Sequence, residues 1–409
     1  MSFFTFLHAA DLHLGSPLTG LALKDEDVAR RFAAASRDAF AELVEKAIAE
    51  KVAFVLIAGD VYDGDWKDTS IGLFFNREVA RLARAGIPVF TIRGNHDAES
   101  EITKAVSLPE TVFEFPTRKA DTRRLDDLRV AIHGRSFADR AAPDNYALAY
   151  PAPVAGWFNI GMLHTSCEGS PAHAVYAPCS VQDLVGRGYD YWALGHVHER
   201  AVLYEHPHVV YPGNLQGRSV RECGPKGAVL VDVADGRVAA LRPLIVDKAR
   251  WAHVQVALTS EASQEALLAT VRDALAQPLA ETEGRLTALR VTLKGETPLH
   301  GQLKTHAAQL RDEVQAHAHR LHDDTWLEAL KLATTAPPTP QAEGRDGTGL
   351  DPEALLAGLE HDPEIRAGAQ EFIALLASKL PGGIADGAFD DLDAILAEAR
   401  AIAAARAVA

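Results

Sequence analysis

Five short segments of the sequence carry side chains suited to holding cations: Asp11-Leu12-His13, Gly59-Asp60, Gly94-Asn95-His96-Asp97, His164 and Gly195-His196-Val197-His198. Each lies just past a brief apolar run, at Phe3 to Leu7, Val52 to Ile57, Val89 to Ile92, Phe158 to Leu163 and Tyr191 to Leu194. Apolar, β-branched or aromatic runs of this length, closed by Gly and polar residues, predict buried strands ending at a ligand-bearing edge. Carboxylates, neutral imidazoles and an amide oxygen at such edges are the donors of a two-cation site that cleaves phosphoesters. Two divalent cations roughly 3.5–4 Å apart share and acidify a water and clamp the phosphoryl oxygens. Nitrogen and oxygen donors without thiolates favour Mn, Fe, Zn or a similar ion over a calcium cage, with Mg a further candidate.

Asp60 is the expected bridging carboxylate, since it ends an apolar strand and precedes the turn sequence Val61-Tyr62-Asp63-Gly64-Asp65. Asp11 and His13, two apart on an extended chain, can face the same edge, and His196 and His198 repeat that spacing. Asn95 offers a neutral carbonyl oxygen. His96 is left as a non-ligand imidazole that titrates near neutrality, suited to protonating a leaving oxygen, and Asp97 is placed to orient it. His8 lies within its strand and reads as structural, Asp63 and Asp65 as turn residues or supports behind the ligands, and His133, His173, His206 and His208 as structural or surface residues. Arg135, Arg218 and Arg221 follow strand ends; they read as solvated surface cations, with phosphate contact the alternative. Trp157, Trp192 and Trp251 read as core or domain-junction residues.

The elements that must position these groups follow from periodicity. From Asp25 to Lys51, Val28, Phe32, Phe40, Leu43, Val44, Ala47 and Ile48 share one helical face. A second helix is expected from Thr69 to Ala85, stopped by Gly86 and Pro88. With the three strands around them they form βαβαβ, a sheet covered by helices. Further strands are expected at Val112–Phe115, Leu128–His133, Phe158–Leu163, Tyr189–Leu194, His208–Tyr211, Ala228–Val233 and Val238–Ile245, and a second sheet packed on the first would bury them. Residues 1–246 therefore read as one catalytic domain. Residues 247–333 read as a small α/β module, with strands at Trp251–Leu258, Leu286–Leu293 and Trp326–Ala333 and helices at Ser260–Ala276 and His300–Leu321. The Pro-, Gly- and Thr-rich stretch 334–350 reads as a linker. Residues 351–409 read as helical, with starts at Asp351-Pro352-Glu353 and Asp362-Pro363-Glu364, a break at Pro381-Gly382-Gly383 and a last helix from Phe389. The tail is expected either to close on itself as a helical hairpin or to dock a partner.

The 409 residues, 47% hydrophobic and 24% charged, have ordinary globular composition. A net charge of −15 argues against an overall electrostatic grip on nucleic acid or anionic membrane. Bound cations and a local Arg cluster can nevertheless reverse the field at a site. Three widely spaced cysteines, Cys167, Cys179 and Cys223, predict neither a disulfide framework nor a thiolate zinc site. No secretory leader or membrane-length apolar run is evident, so a cytoplasmic location is expected.

The motif order D-x-H, GD-x-x-D, GNH[DE], a lone His and GHxH resembles the calcineurin-like metallophosphoesterase superfamily. Within it, His8 to Gly15, Gly59 to Asp63, Tyr211-Pro212-Gly213-Asn214 and Lys226-Gly227 resemble the SbcD-type DNA repair exonucleases, most closely the bacterial YhaO-like branch. The resemblance implies a four-layer α/β/β/α sandwich with a small α/β accessory domain and a helical C-terminal tail. It implies one metal on Asp11, His13, Asp60 and His198, a second on Asp60, Asn95, His164 and His196, and His96 as the catalytic histidine. It further implies Mn-dependent cleavage of DNA, a DNA-capping role for the small module, an SMC-like ATPase docked on the tail and a homodimer. A small-substrate phosphoesterase acting on cyclic or other nucleotides, and a non-catalytic scaffold for an ATPase complex, are the alternatives.

Overall fold

A computed structural model describes residues 3–16, 26–63, 69–99, 108–167, 176–258, 263–337, 356–379 and 391–408. Asp65, His173, the Asp351 helix start and the Pro381 break fall outside them, as does most of the expected linker. The chain forms two compact units: one of Met1–His253, Leu279–Leu289 and Asp324–Glu328, the other of Val254–Pro278, Arg290–Asp323 and Ala329–Ala409.

In the first unit, β1 (Phe3–Ala9), β2 (Val55–Ala58), β3 (Val89–Ile92) and β4 (Val112–Glu114) lie side by side. The pairs β1/β2, β2/β3 and β3/β4 are parallel, in registers that include Leu7 opposite Val55 and Val55 opposite Val89. The expected crossover helices connect them: α1 (Glu26–Ala49) and α2 (Thr69–Arg84). α1 carries Glu26 and Asp27 in its first turn and Lys46 in its last, complementing the helix dipole, and buries Val28, Phe32, Ala39, Phe40, Leu43, Val44 and Ala47 on one face. The chain returns to this sheet late, through β11 (Gly227–Ala234) antiparallel to β1 and β12 (Arg237–Ile245) antiparallel to β11.

The second sheet has the order β5-β6-β7-β8-β10-β9, formed by Asp121–Leu125, Val130–Gly134, Phe158–His164, Tyr191–Gly195, His208–Tyr211 and Ala201–Glu205 respectively. Phe6, Phe54, Leu56 and Phe90 of the first sheet meet Ile132, Phe158, Ile160 and Tyr191 of the second in one fully apolar layer. The Phe6 and Phe54 rings stack 5.0 Å apart, and Tyr191 meets Phe6 edge-on at 5.3 Å. α1 and α2 cover the outer face of the first sheet. The outer face of the second is covered by the 3₁₀ turn Tyr146–Ala149 and by α4 (Val181–Val185), which begins with a reciprocal Ser180–Asp183 capping box. These are the four layers expected. α3 (Asn95–Glu99) is a single turn that leaves the tip of β3.

Two strands were not foreseen: β5 and β9, the outermost strands of the second sheet. The remaining sheet has the order β13-β14-β15, formed by Ala249–Ala257, Leu286–Glu296 and Thr325–Thr335. β15 thus runs two residues into the stretch expected to be linker. The helix expected over 300–321 is interrupted at His306, giving α6 (His300–Thr305) and α7 (Ala307–Leu321), while α5 spans Gln264–Ala280. Near the C-terminus, Asp362 caps α8 (Pro363–Lys379), accepting from the Glu364 and Ile365 N–H groups. Arg366 pairs with Asp393 of α9 (Leu392–Val408) at 2.6 Å, and Arg400 of α9 pairs with Glu360 at 2.7 Å.

Candidate metal centre

The tips of β1, β2, β3, β7 and β8 converge, and the backbone there is bent sharply enough to turn short side chains inward. Asp11, His13, Asp60 and His196 all adopt positive φ, at 52°, 42°, 53° and 101°. This region is costly for non-glycine residues and concentrates at functional sites. The tips are tied together as the strands end: Asp11 N–H donates to the Gly59 carbonyl, His13 N–H to Asp60 and Leu14 N–H to Val61, at 2.9–3.0 Å. Gly94 lets the β3 tip close on β2, since a Cβ there would collide with the Asp60 carboxylate and come within 2.8 Å of His164 Cε1.

The seven expected ligands lie at these tips: five of them, with His96, form candidate cation sets, and Asn95 and His196 adjoin His164. Among the described residues, three sets of carboxylates and imidazoles have donor atoms within 4.8 Å of one another: Asp11, His13 and His198; His13, Asp60 and His96; and Asp11, Asp60 and His164. Asp11, His13 and Asp60 each belong to two of them. The Asn95 Oδ1 lies 3.1 Å from His164 Nε2, and the His196 ring stands edge-on to that of His164 at 5.3 Å. The His196 N–H donates to both oxygens of Asp11, at 3.1 and 2.9 Å.

The hydrogen-bond network assigns the imidazole tautomers. His164 Nδ1 donates to the Ala58 carbonyl at 2.9 Å, so its Nε2 presents a lone pair. Among the described residues that lone pair faces acceptors, Asn95 Oδ1 at 3.1 Å and Asp60 Oδ2 at 3.4 Å. His198 Nδ1 donates to Glu222 Oε1 at 2.8 Å, which leaves its Nε2 lone pair 3.2 Å from His13 Nε2. His13 Nδ1 in turn faces Asp63 at 3.6 Å. Acceptors aimed at acceptors in a buried pocket demand positive charge between them, and these donors fit a pair of divalent cations.

The electrostatics agree. Burial works against the Asp60 carboxylate, yet the adjoining His164, with His13 and His96, holds it below the ordinary carboxylate range. Burial likewise opposes charging of His164, but Asp60 and Asp11 raise it to about 9, the response of a site that takes up a proton where a cation belongs. His13 is pushed down to about 3, first by burial and then by Arg218. Burial, reinforced by Asp60, raises Asp97 to about 6.

The carboxylate against His96 is Asp63, 2.9 Å from Nδ1, and its hydrogen bond raises the imidazole's pKa. The expectation placed Asp97 there. Asp97 instead accepts from the Tyr62 and Gly94 N–H groups, at 3.0 and 3.1 Å, bracing the turns on either side of His96. His96 keeps 31% of its side chain exposed while the groups beneath it are buried. His8 is structural, buried between the Tyr191 hydroxyl and the Leu194 carbonyl. His133 stacks on Tyr189 and bonds Thr122 and Asn159.

One residue at the site escaped the reading of the chain, and for another the favoured reading was the wrong one. Glu222, not singled out, fixes His198 and also accepts from Asn214 Nδ2 and the Arg218 N–H at 2.8 Å. Arg218, taken for a surface residue, reaches Asp63 and Glu222. Both lie in an irregular segment without periodicity; the signal available was the Tyr211–Asn214 motif, whose Asn214 anchors Glu222.

A two-sheet sandwich with Asp, Asn and His at five strand tips defines a phosphoesterase of the calcineurin type, and the chain belongs to the calcineurin-like metallophosphoesterase family. The model of that family, described as calcineurin-like phosphoesterase, matches residues 4–200. Residues 251–335 match a second model, described as metallophosphoesterase YhaO, middle domain. The chain is similar to the uncharacterized metallophosphoesterase YhaO of Bacillus subtilis (strain 168), 33% identical over 383 residues, covering 90% of this chain and 93% of that one. It is more distantly similar to the DNA double-strand break repair protein Mre11 of Sulfurisphaera tokodaii, 25% identical over 264 residues, covering 60% and 64% of the two chains. The protein of the same name from Aeropyrum pernix is 26% identical over 316 residues, covering 72% and 74%.

Proposed function

We propose that this metallophosphoesterase cleaves DNA phosphodiesters as an exonuclease, with Asp60 as the residue that would serve both of two divalent cations, Mn being the ion that the resemblance to the SbcD-type exonucleases implies. One cation would rest on Asp11, His13, Asp60 and His198, the other on Asp60, Asn95, His164 and His196. When bound, the pair supplies an activated water and neutralises charge on the phosphoryl group. The protein's own residues do the rest. Glu222 and the Ala58 carbonyl hold His198 and His164 in the tautomer that directs Nε2 inward. Asp63 holds His96 by Nδ1, leaving Nε2 to deliver a proton to the departing sugar oxygen.

The observation that carries the reaction class is the convergence around Asp60 of imidazole nitrogens and carboxylate and amide oxygens that face one another as acceptors, His164 Nε2 toward Asn95 Oδ1 and Asp60 Oδ2 and His198 Nε2 toward His13 Nε2. The choice of DNA rests on the likeness to proteins named for double-strand break repair. From composition and the resemblance to the SbcD-type exonucleases we further propose residues 1–246 for catalysis, 247–333 as a DNA-capping module, 334–350, beyond the end of β15, as a linker, and 351–409 for docking of an SMC-like ATPase in a reducing, cytoplasmic setting.

The test is hydrolysis of end-labelled single- and double-stranded DNA with Mn, Mg and Zn in turn, with and without a co-purified ATPase. Progressive shortening of the label is expected. Hydrolysis of cyclic nucleotides but not of DNA would replace this reading with a small-substrate phosphoesterase. No hydrolysis by metal-replete protein that nevertheless binds an ATPase tightly would make it a scaffold.

A further inference from the structure

Arg218 is a cation beside the metal centre whose hydrogen-bonding capacity is largely unspent. A guanidinium carries five N–H donors in a fixed fork. Its approaches to carboxylates are loose for an arginine pair: Nη1 to Asp63 Oδ2 is 3.7 Å and Nη2 to Glu222 Oε1 is 3.6 Å. Bidentate arginine–carboxylate bonds run about 2.7–2.9 Å. Nη2 also lies 3.4 Å from His198 Nδ1, but that nitrogen already gives its proton to Glu222 at 2.8 Å and has no lone pair to offer. Nε is buried and meets no hydrogen-bond partner among the described residues. A buried, charged donor left unsatisfied is costly, and such groups persist where something else completes them.

What would complete it is an anion. Asp63 and Glu222 are already engaged: Asp63 holds His96 at 2.9 Å, and Glu222 holds His198, Asn214 and the Arg218 backbone. Both therefore steer the guanidinium without saturating it. Asp63 joins Arg218 directly to His96, the residue at the exposed lip of the site, and the Arg218 side chain itself remains 23% exposed. The geometry points to Arg218 as a phosphate clamp, a substrate-binding residue that takes a non-bridging oxygen of the scissile or adjoining phosphate through its fork. This rests on the proposed phosphodiesterase reading and adds to it a protein cation that would hold the substrate alongside the metals.

The test uses the full chain loaded with Mn, and inorganic phosphate as the probe, titrated by calorimetry into wild type, Arg218→Ala and Arg218→Lys, with metal content measured on each. Arg218→Ala should keep its full complement of metal and bind phosphate about tenfold to a hundredfold more weakly. Arg218→Lys, which keeps the charge but loses the fork, should fall between the two. On a model diester the loss should appear in KM at least as much as in kcat. Phosphate affinity in Arg218→Ala within about twofold of wild type, or no phosphate binding by wild type, would overturn the proposal. Loss of metal from Arg218→Ala and Arg218→Lys alike would also overturn it, making the residue a support for Glu222 and His198. The probe needs no turnover: if wild type binds phosphate through Arg218 but cleaves no DNA, the substrate assignment fails and the clamp stands.

Discussion

In the proposed reaction His96 would supply a proton and the residues under it would hold two cations. Its pKa is raised by the Asp63 hydrogen bond, so the imidazole is a ready acid near neutral pH. His96→Ala is expected to retain the metals and lose about 10²–10⁴-fold in turnover, the usual worth of a positioned acid; metal analysis beside diester hydrolysis checks it, and an unimpaired variant would remove the role. A second expectation concerns the metal-free protein. His164 is raised to about 9, so its ion pair with Asp60 is fully present below about pH 6.5 and lost as pH climbs through about 9. Thermal melts of chelator-treated protein should therefore fall in that alkaline window, and adding Mn should flatten the decline by supplying the charge that the proton had provided. Identical pH profiles with and without metal would refute this coupling.

At the scale of elements, what could be read from the chain follows burial. The strands that deliver ligands are central in their sheets and covered on both faces, so they appear as unbroken apolar runs: Val55–Ala58 and Val89–Ile92 are buried at every residue. The strands that escaped notice are edges. β5 reads Asp-Thr-Arg-Arg-Leu and β9 Ala-Val-Leu-Tyr-Glu, with three or more residues of each half-exposed or exposed. β5 is charged, as edges often are to discourage further pairing, and neither strand has a buried residue, so neither shows the alternation or unbroken apolar run that marks a covered strand. The site divides in the same way: the metal-facing groups were legible from strand tips, whereas Arg218 and Glu222 sit in a coil where only the folded chain reveals proximity. The Asp97 expectation erred for a related reason, since adjacency in sequence to His96 said nothing of the turn that swings Asp97 toward the Gly94 and Tyr62 amides. Closure of the β2 and β3 tips is testable. Gly94→Ala should cost about 1–3 kcal/mol of stability from overpacking and lower the metal stoichiometry, read from melting temperature and metal content. A variant with unchanged stability and metal would show that the tips have slack.

For the molecule as a whole, the balance of 41 Lys and Arg against 56 Asp and Glu sets the terms of any encounter with a polyanion. With DNA as the proposed substrate, a net charge of −15 offers no overall attraction, so binding would be local and would depend on cations held at the strand tips. DNA affinity measured by fluorescence anisotropy should accordingly appear with Mn, vanish on chelation, and show a shallow salt dependence reflecting few phosphate contacts. Strong metal-independent binding with a steep salt slope would instead locate a basic surface elsewhere. Among the described residues no helix is long and apolar enough to cross a membrane.

The left-handed backbone at Asp11 and Asp60 has a practical corollary for anyone dissecting this enzyme. Alanine at either position would erase a carboxylate and also force a methyl-bearing residue into torsions it disfavours, mixing two injuries in one phenotype. Asparagine visits that conformation far more readily and is nearly isosteric with aspartate. The amide, not the truncation, is the substitution whose consequences can be ascribed to charge alone.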